Sequence, residues 1–594
     1  MKKFVLLLLV VLFVTLPLMA TEPKAMADVK TVQDVPVSEK GFSFDPASPY
    51  LPPVPGFAEH MEADGAVYSV YVPDDLDPWR PGVIILVPDG TGAAEFALSD
   101  LGRTWMSAAD EYGFALGFAE PAEGGWNVTG DPQKRDDVDA VEDVYTQMRS
   151  KSQTLELPFT MDKSRVSLVG YEEGGAMALA VAAGSSSAFC GVIAIDQVGA
   201  DLAYLEKLAA SYCFPFPADG MRCKEEVALP NSALAMPVWF INSYDEGVYE
   251  YYREKNSTDS WTQNDVASVA YDSSDTVRAV WRSEGLDNPD PAVLWTEFLS
   301  IHTRPLGVEG GHLAYAMEFD TRADGRGYIY SEEVVDGLVR RWMTYVPESY
   351  DPSTPAPMVL VLHGYTATMY ALAEESRWCD VAEENGIITV FAQGYPNPEA
   401  NTANIPAPSW MVPALFGDAE GADDVSFLAH VVDVTKENYN IDDSRVYGTG
   451  HSNGCAMTLA LASVHPEIFA AIAPIGYAAE GLTDDLGGTI MPLSLYYGQY
   501  DSAVNADGVA MADAYWTGVN GLAGAETTER TSEDGRFTTK SYLTDSGVPL
   551  VEFTEVANSA HSYFPAESWR IWNEFFTHYT REGATVYYDG VAVN

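Results

Sequence analysis

Two stretches of this chain, 280 positions apart, align without a gap. Ser164-Arg165-Val166-Ser167-Leu168-Val169-Gly170-Tyr171-Glu172-Glu173-Gly174-Gly175-Ala176-Met177 lies over Ser444-Arg445-Val446-Tyr447-Gly448-Thr449-Gly450-His451-Ser452-Asn453-Gly454-Cys455-Ala456-Met457. The same offset carries Phe189 onto Phe469. Upstream, Trp105 to Gly113 mirrors Trp378 to Gly386 at an offset of 273. Two registers along one repeat mean related domains with loop insertions between them. Each copy runs as a buried strand into a glycine-flanked turn and then a helix. The glycines are required because side chains there would block the turn and the close strand–helix crossing. At the apex the second copy has Ser452 and the first has Glu172.

The order of elements agrees in both halves. In the second, Trp342 to Pro347 reads as an early strand and Pro357 to Leu362 as a buried one, because its apolar run is continuous. A helical pattern near Tyr370 to Asn385, the strand Ile387 to Phe391 and a helix near Val425 to Tyr439 precede the turn. In the first half, Val67 to Val72, Val83 to Val87, Trp105 to Tyr112 and Phe114 to Phe118 repeat that order. Strands alternating with helices predict an α/β fold: two tandem domains, each a mostly parallel sheet covered on both faces. A chain of 594 residues suits two large domains. The expected limits are 28–319 and 320–594, with the polar stretch Asp320 to Gly327 as linker.

Residues 1–27 are expected to be a signal peptide: Met1-Lys2-Lys3 precedes an apolar run from Phe4 to Leu18, with cleavage after Ala20 or Ala27. That predicts a secreted protein, extracellular or periplasmic, with no membrane attachment after cleavage. In such a compartment Cys213 and Cys223, which bracket a short loop, can pair. Cys190, Cys379 and Cys455 fall in strand- and helix-like runs and are expected as core residues. No Cys/His spacing resembles a zinc site. The net charge of −54, spread along the whole chain, excludes nucleic acid as a partner.

A strand that ends in Gly-x-Ser-x-Gly and opens into a helix resembles the nucleophile elbow of α/β-hydrolases, in which an acid and then a histidine follow the serine. Downstream of Ser452, the strand Pro492 to Gly498 is followed by Asp501, and the strand Val551 to Val556 by His561. His578 also lies late enough, but in the terminal helical run. Ser452 is therefore the expected nucleophile and His561 the base that takes its proton. Asp501 holds the imidazole tautomer, with nearby Asp507 as the next candidate acid. Asn453 and Tyr365, the latter in Leu362-His363-Gly364-Tyr365-Thr366, are the expected backbone donors of an oxyanion hole. His363 is read as a hydrogen bonder fixing that loop. His451 is expected to point away from the serine, as a packing residue or one that supports the site's own side chains.

The residues as a set resemble the secreted esterases of carbohydrate esterase family one, which includes polyhydroxybutyrate depolymerase-like, feruloyl and acetylxylan esterases. That family's Val-Tyr-x-x-Gly-x-Ser-Asn-Gly-Gly-Ala-Met is matched by Val446 to Met457, with Cys455 for the second glycine. Leu362-His363-Gly364 matches its Leu-His-Gly loop, Gly498 to Asp501 its Gly-x-x-Asp turn, and Ala560 to Pro565, more loosely, its Gly-His-x-Trp-Pro. The resemblance covers nearly all of residues 325–585. It implies a serine esterase acting through an acyl-enzyme on feruloyl or acetyl esters of plant polysaccharide, or on hydroxyalkanoate polyester, without cofactor or metal. Trp410 resembles a family tryptophan near the substrate cleft, with a core aromatic as the other reading. The first half departs from the pattern: Glu172 replaces the serine, and its loop reads Val87-Pro88-Asp89-Gly90. Asp245 and His312 match the acid and base positions without a nucleophile. The competing reading is a non-catalytic polysaccharide- or polymer-binding protein built from hydrolase folds.

Overall fold

A computed structural model describes residues 56–593, apart from 64, 74–79, 151–160, 214–228, 287–288, 306–312, 398–406 and 418–420. The expected signal peptide, Cys223 and His312 lie outside the described residues.

The protein is two α/β-hydrolase folds in tandem. Each contains a ten-stranded sheet, and the two sheets share one strand order. In the first, the order runs Gly56–Ala63, Ala66–Val72, Ala115–Ala119, Arg80–Leu86, Met161–Tyr171, Gly191–Ile195, Val238–Ile241, Asp275–Ser283, Ser268–Asp272, Ser260–Gln263. In the second it runs Gly327–Val335, Leu338–Val346, Ile388–Gln393, Ala356–Leu362, Ile441–Gly450, Ala471–Ile472, Leu493–Gly498, Pro549–Val556, Phe537–Leu543, Thr527–Thr531. The six central strands of each sheet are parallel and the flanking ones antiparallel. Parallel strands buried on both faces need apolar side chains at every position, and all seven residues of Ala356–Leu362 are buried. Even the register repeats. Leu86 pairs with Gly170 and Leu362 with Gly450, so each early strand ends beside the first glycine of its elbow.

The glycines explain the elbow's shape. A Cβ on Gly174 would come within 2.2 Å of the Leu86 carbonyl oxygen, and one on Gly454 within 2.1 Å of the Leu362 carbonyl oxygen. The helices Glu173–Gly184 and Asn453–Val464 are pressed onto the early strands at distances only glycine permits.

Buried polar clamps repeat as well. Arg304 Nε donates to the Phe189 carbonyl (2.8 Å) and Arg581 Nε to that of Phe469 (2.6 Å). Asn256 accepts from the Met236 N–H (2.8 Å) and Asn520 from that of Met491 (2.7 Å).

One local expectation changes. The helical run near Tyr370 to Asn385 is two helices, Met369–Ser376 and Trp378–Asn385, broken at Arg377 with φ 53°. Asp320 to Gly327 is a bonded turn, in which Arg322 N–H donates to the Arg326 carbonyl and Tyr328 N–H to that of Asp320. Cys190, Cys379 and Cys455 are buried free thiols.

Candidate active site

Ser452 stands at the apex of the second elbow with φ 57° and ψ −113°, conformational space almost reserved for glycine. Its N–H is tied to the Ile475 carbonyl (2.8 Å), and Gly454 N–H donates to the His451 carbonyl (2.8 Å). The turn therefore holds the strain. The Ser452 Oγ donates to His561 Nε2 at 2.8 Å. On the other side of the ring, His561 Nδ1 donates to the Asp501 carboxylate, 2.9 Å from both oxygens. Both Asp501 and His561 are buried. Their loops brace one another: Tyr500 N–H donates to the Ser559 carbonyl (2.8 Å), and Gln499 N–H to that of Val556 (2.9 Å). A Cβ on Gly498 would sit 2.3 Å from the Ala560 carbonyl oxygen, so the glycine before the acid lets the two loops touch. The structure thus brings Ser452, His561 and Asp501 into one hydrogen-bonded chain. His578 lies apart from it and pairs with Asp589 (2.8 Å).

The loop after Ala356–Leu362 passes directly beside the serine: a Cβ on Gly364 would stand 3.4 Å from the Ser452 Cβ. Asn453 opens the elbow helix, so its N–H is one of the first-turn donors that no helical carbonyl can reach. Tyr365 follows Gly364, and its ring lies 6.0 Å from that of Phe416. His363 is buried beneath. Its Nδ1 donates to the Gly364 carbonyl (2.7 Å), while its Nε2 accepts from Gly394 N–H (2.8 Å) and is 2.9 Å from the Gln393 amide. Burial lowers its pKa to about 4, so the ring is a neutral fixed brace.

Trp410 is a correction. It is fully buried, and so stands behind the loop rather than on the cleft wall. Its Nε1 donates to the His363 carbonyl (2.8 Å), and its backbone N–H and carbonyl both bond the Asn453 side chain, at 2.6 and 2.8 Å. An apolar aromatic with a satisfied N–H is a core residue here. His451 packs as expected but does not point away. Its ring faces the site and packs on that of His561, with centroids 4.8 Å apart.

Three supports escaped the sequence reading. Gln393, at the end of a buried strand, joins His363 to the helix that follows the loop. Gly476, with φ 78°, lies where a Cβ would be 2.9 Å from His451 and 3.4 Å from His561. Glu567 is a buried acid near Asp501. Burial first, and the Asp501 charge in addition, raise its pKa to about 8. Nothing in the residues around Glu567 signals that its carboxyl is buried.

The first elbow has the same backbone: Glu172 takes φ 52° and ψ −116°, with its N–H on the Ile195 carbonyl (2.9 Å). Trp126 repeats Trp410, donating from Nε1 to the Val87 carbonyl at 2.8 Å. The residue after each tryptophan donates to a buried helix aspartate, Asn127 to Asp137 (2.6 Å) and Met411 to Asp424 (2.7 Å). Asp245, however, caps the helix Glu246–Lys255, accepting from Val248 N–H (3.0 Å).

Residues 339–576 match the model of a family described as putative esterase. Over 235 residues the chain is 27% identical to poly(3-hydroxyalkanoate) depolymerase C of Paucimonas lemoignei, covering 35% of this chain and 55% of that one. It is 32% identical over 128 residues to a probable acetylxylan esterase A of Neosartorya fischeri, covering 21% and 32%. It is 31% identical over 131 residues to feruloyl esterase B of Neurospora crassa, covering 22% and 41%. The chain thus spans about half or less of the length of these curated relatives. Among solved structures, the acetyl xylan esterase from Aspergillus awamori aligns with a TM-score of 0.33 at 16% identity, over 42% of this chain and 99% of that one. The chain is therefore similar to esterases, and the family match lies in its second domain.

Proposed function

We propose that the second domain is a secreted serine carboxylic-ester hydrolase with Ser452, His561 and Asp501 as its catalytic triad and the N–H groups of Asn453 and Tyr365 as its oxyanion hole. The observation that carries this is the unbroken hydrogen-bond chain from Ser452 Oγ through His561 to Asp501. A hydroxyl becomes a nucleophile when a base takes its proton as it attacks. His561 Nε2 takes the Ser452 proton while Oγ bonds to the ester carbonyl carbon. Asp501 stabilises the imidazolium that results. The carbonyl oxygen becomes an oxyanion facing the helix N-terminus and the Gly364–Tyr365 turn. Collapse breaks the bond to the alcohol oxygen, which leaves with the proton from His561. Water then enters with His561 again as base, releases the acid and restores Ser452.

The names of the relatives supply the candidate substrates: hydroxyalkanoate polyester, acetylated xylan, and feruloyl esters of plant polysaccharide. An ester carried on a polymer fits the surroundings of the serine. Near the mouth, Leu415 is 39% exposed and Phe416 faces Tyr365, giving an apolar platform beside the oxyanion loop. The first domain, at 28–319, carries Glu172 in place of the serine and is read as non-catalytic.

The test is hydrolysis of methyl ferulate, p-nitrophenyl acetate and a hydroxybutyrate oligomer by the wild type and Ser452→Ala, with a fluorophosphonate probe and mass spectrometry to locate the label. Turnover and labelling confined to the protein with Ser452 support the reading, and the preferred ester names the substrate. Polymer binding without labelling or turnover would establish the binding-protein alternative.

A further inference from the structure

We infer that the first domain braces the oxyanion loop of the second through the Arg165–Glu374 ion pair, which makes Arg165 a positioning residue for the reaction. This rests on the serine-hydrolase reading of the second domain. Glu374 is 1% exposed and sits in the helix Met369–Ser376, the element that leaves the oxyanion loop. A buried carboxylate persists only where charge and hydrogen bonds satisfy it. Those partners come from the other half of the chain. Arg165 Nε donates at 2.9 Å, and its Nη2 also bonds the carboxylate. Ser164 Oγ and Thr303 Oγ1 each lie 3.3 Å from Oε2, and Met317 N–H lies 3.3 Å from Oε1.

The internal repeat shows that Arg165 has been re-aimed. Its counterpart Arg445 stays within its own domain, 2.6 Å from Asp442 of its Asp-x-Ser-Arg turn and 3.4 Å from the Pro355 carbonyl. Arg165 sits 3.6 Å from the matching Asp162 and spends its shorter bonds on Glu374. It is held there by the Met317 carbonyl (2.8 Å) and lies over the Phe319 ring.

From Glu374 the connection to Ser452 is short and made of fixed groups. The helix begins at Met369, whose N–H donates to Gln393 Oε1 at 3.0 Å. The Gln393 amide meets His363 Nε2 at 2.9 Å, and His363 Nδ1 donates to the Gly364 carbonyl at 2.7 Å. Gly364 is the residue beside the Ser452 Cβ. A two-turn helix pinned at its far end by the first domain, and at its near end by Gln393, sets where the Tyr365 N–H points. Such a donor acts only on charge that develops in the transition state. Displacing it should therefore lower kcat and leave KM.

The experiment compares full-length wild type, Arg165→Met, Glu374→Gln, Arg165→Met/Glu374→Met and the surface control Arg445→Met, using p-nitrophenyl acetate turnover and the rate of fluorophosphonate labelling of Ser452. We expect Arg165→Met to lose about tenfold in kcat and in labelling rate per folded molecule, with KM changed less than twofold. Glu374→Gln should lose less, the apolar pair should recover most of the activity, and Arg445→Met should match the wild type. A merely structural role would lower the melting temperature and leave kcat per labelled Ser452 within twofold, which would overturn the inference. Should Arg165→Met fail to fold, Glu374→Gln decides by the same criterion. A wild type that neither turns over nor labels overturns the esterase reading and the brace together; labelling at equal rates in all variants overturns the brace alone.

Discussion

The two domains are one scaffold with and without a serine–histidine–aspartate hydrogen-bond chain at the elbow. Sheet order, register, elbow dihedrals, the tryptophan under the early loop and the buried arginine and asparagine clamps all appear in both. What differs is the apex residue, Glu172 against Ser452, the loop after the early strand, and the use of the acid, since Asp245 caps a helix where Asp501 holds a histidine. Backbone strain and packing at the elbow are thus properties of the fold. The chemistry is a small set of side chains added to it.

The largest effect should separate the domains outright. Ser452→Ala is expected to lower ester turnover by about 10⁴-fold or more, whereas Glu172→Ala should stay within twofold of wild type, measured as kcat/KM on p-nitrophenyl acetate. Activity that survives the first change and falls with the second would reverse the assignment.

Next comes pH. Glu567 is buried in the second domain, and at the matching place after the shared Pro-Ala start the first domain has Val293. The folded-state pKa of Glu567, about 8, lies above the unfolded value of 4.5. Its neutral form therefore favours the folded state fully below pH 4.5, and that contribution fades as pH rises through about 8. The slope for one proton is at most about 1.4 kcal/mol per pH unit. Denaturant unfolding of Glu567→Gln should show less loss of stability between pH 5 and 8 than wild type. Parallel curves would mean that the carboxyl is ionised in the folded protein.

Much of this was legible in the residues because the signals are local. Gly-His-Ser-Asn-Gly after a buried strand can serve few backbones, and the alternation of strands and helices gave the sheet class. The acid and histidine were legible because each follows an apolar strand at a loop. What escaped depends on distant packing. Trp410 looks the same in sequence whether it lines a cleft or lies under a loop; only its bonds to His363 and Asn453 decide. Gln393 and Glu374 lie in strand- and helix-like runs where a polar residue reads as exposed, and their partners are 30 and 209 positions away. The break at Arg377 was hidden because helical periodicity continues across it.

The tryptophan pair gives a smaller, sharper contrast. Trp126→Phe and Trp410→Phe each orphan a buried carbonyl, of Val87 and of His363, and each should cost about 1–3 kcal/mol in denaturant unfolding. Only Trp410→Phe should also lower kcat, by about tenfold, because the His363 carbonyl immediately precedes the oxyanion turn. Equal activity in the two variants would show that the loop holds its position without this bond.

The smallest effect concerns the strain itself. Dihedrals near those of Glu172 and Ser452 cost a non-glycine residue about 1–3 kcal/mol, and glycine recovers this less about 0.5–1 kcal/mol of chain entropy. Glu172 has no hydrogen bond or ion pair at its carboxylate among the described residues, so Glu172→Gly should stabilise the protein by about 1 kcal/mol. Ser452→Gly gains the same relief but gives up the bond to His561, which a neutral hydrogen bond values at about 1 kcal/mol, and should come out near zero while abolishing turnover. The contrast is measurable as a difference in denaturant midpoints. If Glu172→Gly destabilised the protein, its carboxylate would be making an interaction that holds the first elbow in place, and the strain would belong to a working site in that domain after all.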